Sequence, residues 1–244
     1  MLRLPSDMDQ FLVFPETLLA SCLERGQFIH LSAQVVSYIA DIDQLTKLHQ
    51  HEQLLCPDYL KQAKPSRLNE FFAGRIVAQA ILKQHFSCTT ALTSRSNKLP
   101  IWPQGLSGCI SHTQNKLLVM VSAQYLSVGA DLQEQIQPEM AKQISSLILT
   151  SAEQQLWHHF KTELDFSEYL SLIFSLKESL YKAVFPVVNS YIDFLELCLV
   201  DIDLTRRIAQ FEFCSKIQKN YPVLKRYSAQ WQRYDEYVIS FALV

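Results

Sequence analysis

Two long runs of helix-forming residues, each followed by several β-rich runs, constrain this chain more than any other feature. The first run is SRLNEFFAGRIVAQAILKQHF, residues 66–86. Leu68, Phe71, Phe72, Ile76, Ala80 and Leu82 recur near helical spacing, and Ser66 is placed to cap the start. The second run is DFSEYLSLIFSLKESLYKAVF, residues 165–185, expected to stop at Pro186 because proline cannot continue a helix. Around the first run lie strand-like segments at 11–14, 28–42, 116–123 and 127–132, and a loop at 94–108 punctuated by prolines and glycines. Around the second lie helical segments at 138–149 and 151–164, the latter capped by Ser151, and strand-like runs at 194–200, 208–214, 227–232 and 236–244. The expected fold is therefore α+β: two similar halves, 1–125 and 126–244, each a long helix on a small, mostly antiparallel sheet.

Composition narrows the function classes. Of 244 residues, 48% are hydrophobic and 19% charged, which is too apolar for a disordered chain. A net charge of −2 argues against nonspecific nucleic-acid binding, which needs a strongly cationic surface. No run reaches the roughly 18 apolar residues of a membrane span. Pro5, Asp7, Asp9, Pro15 and Glu16 interrupt any signal-like segment at the start. Six scattered cysteines, with no CxxC pair, suit free thiols in a reducing cytoplasm. Five glycines, none in a GxGxxG or Walker pattern, leave no glycine-rich phosphate cradle.

Some residues are suited to chemistry. Glu178 and Lys182 are four apart and share a helix face. Alone they would be an ordinary surface ion pair. On a helix this apolar, however, a carboxylate and an ammonium are costly to bury without a partner, and a metal and a phosphate would be such partners. Asp131 ends a strand-like run, and alternation puts Gln133 on its face. By itself Asp131 reads as a turn-forming aspartate. A strand-end carboxylate plus a helix carboxylate is also how Mg²⁺ is held, with phosphates and waters completing its shell. Ser111 and His112 sit between the loop and the next strand, where the ring could meet a phosphate. Arg67, Arg75, Arg95 and Lys98 lie upstream, each alone an ordinary surface cation.

Taken in order, AGR (73–75), KLPIWPQGLSGCISH (98–112), VGADLQ (128–133), LTSAEQQLW (149–157) and FSLKESLYKA (174–183) say more than the parts. The series resembles the 4′-phosphopantetheinyl transferases of the surfactin and enterobactin synthetase type. Their pattern is approximately WPxG…GSISH, GIDIE and FSxKESxYKA. The match covers about residues 67–183, and its last motif is the most specific.

The resemblance implies transfer of the phosphopantetheine arm of coenzyme A onto a serine of an acyl- or peptidyl-carrier protein, releasing adenosine 3′,5′-bisphosphate. It implies a pseudo-dimer with the active site in the cleft between halves, and one divalent ion clasped by acids from opposite lobes. Coenzyme A nucleotide contacts are expected from 1–125, metal and pyrophosphate contacts from 126–244. By matched position, Asp131 and Glu178 become ligands of Mg²⁺, with Mn²⁺ a substitute. Lys182 meets the pyrophosphate; Ser111 and His112 contact coenzyme A, His112 near the 3′-phosphate. Lys98 falls near the adenine or its phosphate, and Arg67 and Arg75 are further coenzyme A contacts. Glu153 matches a cleft-lining acid, leaving Glu178, Glu153 or a metal-bound water as general base. A monomer without nucleic-acid or membrane partners is expected. Gln133 stands where the family usually has Glu, so it would reach the metal through its carbonyl or through water. That departure is the one support for the alternative, a non-catalytic module that binds coenzyme A or carrier proteins.

Overall fold

The computed structural model describes residues 14–50, 54, 56–94 and 99–244. Residues 11–13 of the first strand-like run, Arg95 and Lys98 lie outside them. The chain divides into two compact units, Met1–Gln124 and Tyr125–Val244. Each is a long helix on an antiparallel sheet. Among the described residues no helix is long and apolar enough to cross a membrane.

The first unit runs α1 (Glu16–Cys22), β1 (Gly26–Ile29), β2 (Val36–Asp41), α2 (Ile42–His49), α3 (Pro65–Phe86), β3 (Thr93–Ser94), β4 (Pro100–Ile101), β5 (Ser107–Thr113) and β6 (Lys116–Ser122). Its main sheet has the order β1-β2-β6-β5. Side chains of Ile76, Val77, Ala80 and Ile81 on α3 share a core with Leu117, Val119 and Val121, alternate residues of β6. Ser66 does not cap α3: Pro65 is already helical and Lys64 precedes it without a side-chain cap. Proline suits that first position because its missing N–H would have no helical partner there. Residues 107–113, expected as the end of a loop and its exit, form β5 instead, with Ser107, Cys109 and Ser111 buried on one face. Gly74 lets α3 approach β5 closely, since a Cβ there would stand 2.8 Å from Ile110 Cγ2.

The second unit runs β7 (Val128–Glu134), α4 (Pro138–Ile148), α5 (Ser151–Leu156), α6 (Phe166–Val188), β8 (Leu197–Asp203), β9 (Ile208–Phe213), α7 (Ser215–Asn220), β10 (Arg226–Tyr234) and β11 (Tyr237–Leu243). Its sheet has the order β7-β11-β10-β9-β8. Asp165 opens α6 with a capping box: its carboxylate accepts from Glu168 N–H at 2.8 Å and Glu168 accepts from Asp165 N–H at 3.0 Å. Pro186 does not end this helix. It sits in the last turn, and left-handed Asn189 (φ 49°) closes the helix instead. Similarly, Thr150 rather than Ser151 caps α5, which gives way to a single 3₁₀ turn at Trp157–His159.

Small residues recur every fourth position along α6: Ser167, Ser171, Ser175, Ser179 and Ala183, all buried. They form one helix face, and it packs close to the sheet. Ser175 Oγ lies 2.8 Å from Ser240 Oγ on β11, and Ser171 Oγ accepts from Ile136 N–H at 2.8 Å. Gly129 of β7 completes the seam: a Cβ on it would stand 2.0 Å from the Ser179 carbonyl oxygen and 2.4 Å from Ala183 N. Only glycine permits that approach.

Candidate active site

The seam brings the sequence-predicted acids and lysine together. Asp131 lies two residues beyond Gly129, on the same face of β7, and so is turned toward α6. Lys182 Nζ lies 2.6 Å from Asp131 Oδ1 and 3.7 Å from Glu178 Oε2. The ammonium thus bridges a buried strand carboxylate and a half-buried helix carboxylate one turn before it. Burial pushes the Glu178 carboxyl above its ordinary value; Lys182 opposes that rise and Asp131 adds to it. Both acids belong to the second unit, so they are not drawn from opposite lobes. Adjacent packing of β7 and α6 joins them.

Two carboxylates already serving one cation form a donor set that fits Mg²⁺, which takes one or two protein carboxylates and fills its shell from phosphate and water. Among the described residues no group of three or more His, Cys, Asp or Glu gathers around a common point. Gln133, on the Asp131 face, has its side-chain amide donating to the Glu134 carbonyl at 2.8 Å.

Glu153 is elsewhere and does something else. It is almost wholly buried, and both of its oxygens are engaged: Oε2 accepts from Thr150 N–H at 2.7 Å and from Lys177 Nζ at 2.8 Å, Oε1 from Leu199 N–H at 2.7 Å. Lys177, with no exposed surface, also donates to the carbonyls of Ile148 (2.8 Å) and Phe194 (2.9 Å). Burial lowers the Lys177 pKa and Glu153 opposes the shift. This pair ties α4, α5, α6 and β8 together. The position matched the family pattern, but the side chain is buried and committed to bonds within the fold. Sequence reasoning missed Lys177. The available signal was a lysine in the apolar stripe of Leu170, Ile173 and Leu180, together with a capping box at Thr150–Glu153.

In the first unit, α3 and β5 bring Arg67 and His112 together. Arg67 Nη1 stands 3.2 Å from His112 Nε2 and 3.1 Å from Glu70 Oε2, and that carboxylate oxygen is 3.5 Å from His112 Nε2. Arg67 is two helical turns before Gly74, whose close approach to Ile110 seats this end of α3 on the strand. Ser111 is buried on the opposite face of β5 from His112. Arg75 is also buried, donating to Ser94 Oγ at 2.7 Å with its guanidinium 5.1 Å from the Phe71 ring centroid. Lys98 lies outside the described residues.

Two family models match the chain. The 4′-phosphopantetheinyl transferase N-terminal domain matches residues 51–122, and the 4′-phosphopantetheinyl transferase superfamily matches 127–242. Among curated relatives, enterobactin synthase component D of Salmonella typhi is 34% identical over 148 residues, 60% of this chain and 61% of that protein. The component D of Escherichia coli K12 is 34% identical over 137 residues, 55% of this chain and 64% of that protein. The 4′-phosphopantetheinyl transferase Svp of Streptomyces mobaraensis is 26% identical over 148 residues, 59% of each chain. The matches thus span about three fifths of these relatives' lengths. With both family models in sequence order across most of the chain, and the motif residues of the second gathered at one point on β7 and α6, this chain belongs to the 4′-phosphopantetheinyl transferase family.

Proposed function

We propose that this protein is a Mg²⁺-dependent 4′-phosphopantetheinyl transferase. It moves the phosphopantetheine arm of coenzyme A onto a serine hydroxyl of an acyl- or peptidyl-carrier protein and releases adenosine 3′,5′-bisphosphate. The observation supporting this reading is the bridging of Asp131 and Glu178 by Lys182 Nζ. Two acids and a lysine converge where a metal-bound pyrophosphate needs carboxylates on one side and a cation on the other.

Asp131 and Glu178 would hold the metal, which when bound neutralises charge on the pyrophosphate oxygens. Lys182 turns from its carboxylates to the pyrophosphate and stabilises the charge that gathers on the leaving oxygen. The serine proton needs a base at this point, and Glu178 is the more exposed of the two carboxylates. Glu153, buried and bonded to Thr150, Lys177 and Leu199, serves the fold in this reading. In the first unit, His112 and Arg67 hold the nucleotide's 3′-phosphate.

The test is the intact mass of apo carrier proteins incubated with coenzyme A and Mg²⁺. Transfer adds one phosphopantetheine, and Asp131→Ala and Glu178→Ala each lower the rate by about a hundredfold or more while leaving the protein folded. Full activity in both variants refutes the metal assignment. Tight coenzyme A binding without transfer to any carrier favours the non-catalytic module.

A further inference from the structure

We propose that Glu70 is an internal competitor for the coenzyme A 3′-phosphate, setting how tightly the nucleotide is held and how readily the bisphosphate product leaves. This rests on the reading of Arg67 and His112 as phosphate contacts. One oxygen, Glu70 Oε2, faces both groups, at 3.1 Å from Arg67 Nη1 and 3.5 Å from His112 Nε2. Carboxylate and phosphate oxygens seek the same donors, so a phosphate arriving here finds the Arg67 guanidinium already serving an anion, with His112 beside it. Glu70 cannot simply move away as a loop would. It sits one turn after Arg67 within the 22-residue α3, and Gly74 seats that helix against Ile110. The carboxylate must rotate off Arg67, and it then remains beside a dianion of like charge. As a surface ion pair Arg67–Glu70 does little for stability. Its consequence lies in the affinity for a second anion at the same spot.

The experiment is calorimetric titration of the full chain with coenzyme A and with dephospho-coenzyme A, which lacks only the 3′-phosphate. Glu70→Gln keeps size and hydrogen bonding and removes the charge. It should tighten coenzyme A by about fivefold at low ionic strength, leave dephospho-coenzyme A unchanged, and lose the gain in high salt. Unchanged or weaker coenzyme A binding, or equal tightening of both ligands, overturns the proposal. Arg67→Ala separates the two layers. If wild type binds both ligands equally, the phosphate reading falls and the role of Glu70 falls with it. A preference for coenzyme A that Arg67→Ala removes and Glu70→Gln leaves untouched overturns the role of Glu70 alone.

Discussion

Replacing Gly129 with alanine tests the packing that builds the site. The new Cβ would meet the Ser179 carbonyl oxygen at 2.0 Å, Ala183 N at 2.4 Å and Ala183 Cβ at 2.9 Å, where ordinary contact begins at 3.4 Å. Two of these atoms are backbone, so no side chain can swing aside. Helix α6 has to back away from β7 by more than an ångström. Overpacking of this kind costs about 1–3 kcal/mol, and rigid backbone neighbours put this case near 3. For a chain of this length that is a melting-point drop of about 9 °C. Trp157 and Trp231 report on the second unit and Trp102 on the first, so urea unfolding followed by fluorescence, with Trp102 replaced, isolates the affected half. The same displacement widens the 2.6 Å contact between Lys182 and Asp131, so transfer should fall about a hundredfold at temperatures where the variant is folded. A Gly129→Ala protein within about 0.5 kcal/mol of wild type and fully active would refute the close-packing account.

Two further perturbations address parts of the fold away from the reacting atoms. Lys177→Met leaves the Glu153 carboxylate buried without its cation and should cost about 3–5 kcal/mol; adding Glu153→Gln should recover part of that loss. A double-mutant cycle by urea unfolding checks it, and additivity within about 0.5 kcal/mol would show the pair to be uncoupled. His49 is buried against Phe72, and burial lowers its pKa below 6.5. Below that value the unfolded chain binds more protons than the folded one, so stability should fall as pH drops through the window between the ordinary and the lowered pKa. His49→Phe should flatten this slope in melts followed at Trp102, and an unchanged slope assigns the acid sensitivity elsewhere.

What could be read from the chain follows from how each residue's signal is encoded. The long helices α3 and α6 were legible because their apolar residues recur over many turns. Asp131, Glu178 and Lys182 were legible because a short motif carries them on regular elements, where spacing fixes direction. The small-residue seam that joins them was present as serine every fourth position, yet serine reads as a polar surface residue until a sheet is found against it. Strand β5 was hidden because Gly108, Cys109 and Ser111 have little strand propensity; its pairing with β6 supplies the order. The short helices α1, α2 and α7 hold too few turns for periodicity to show.

Glu153 and Lys177 illustrate the limit of reasoning from motif position. Both fall inside matched segments, and both would pass for site residues by type. Lys177 precedes Glu178 directly, but adjacent helix residues are rotated about 100° apart, so one turns to the core while the other stays half exposed. Lys177 is held by two carbonyls and a carboxylate from other segments, and those bonds pin α6 in rotation about its own axis. That rotation decides where Glu178, and Lys182 one turn later, are presented. The FSLKESLYKA motif therefore contains two kinds of charged residue: Lys177 sets the helix in place, and Glu178 and Lys182 use the placement.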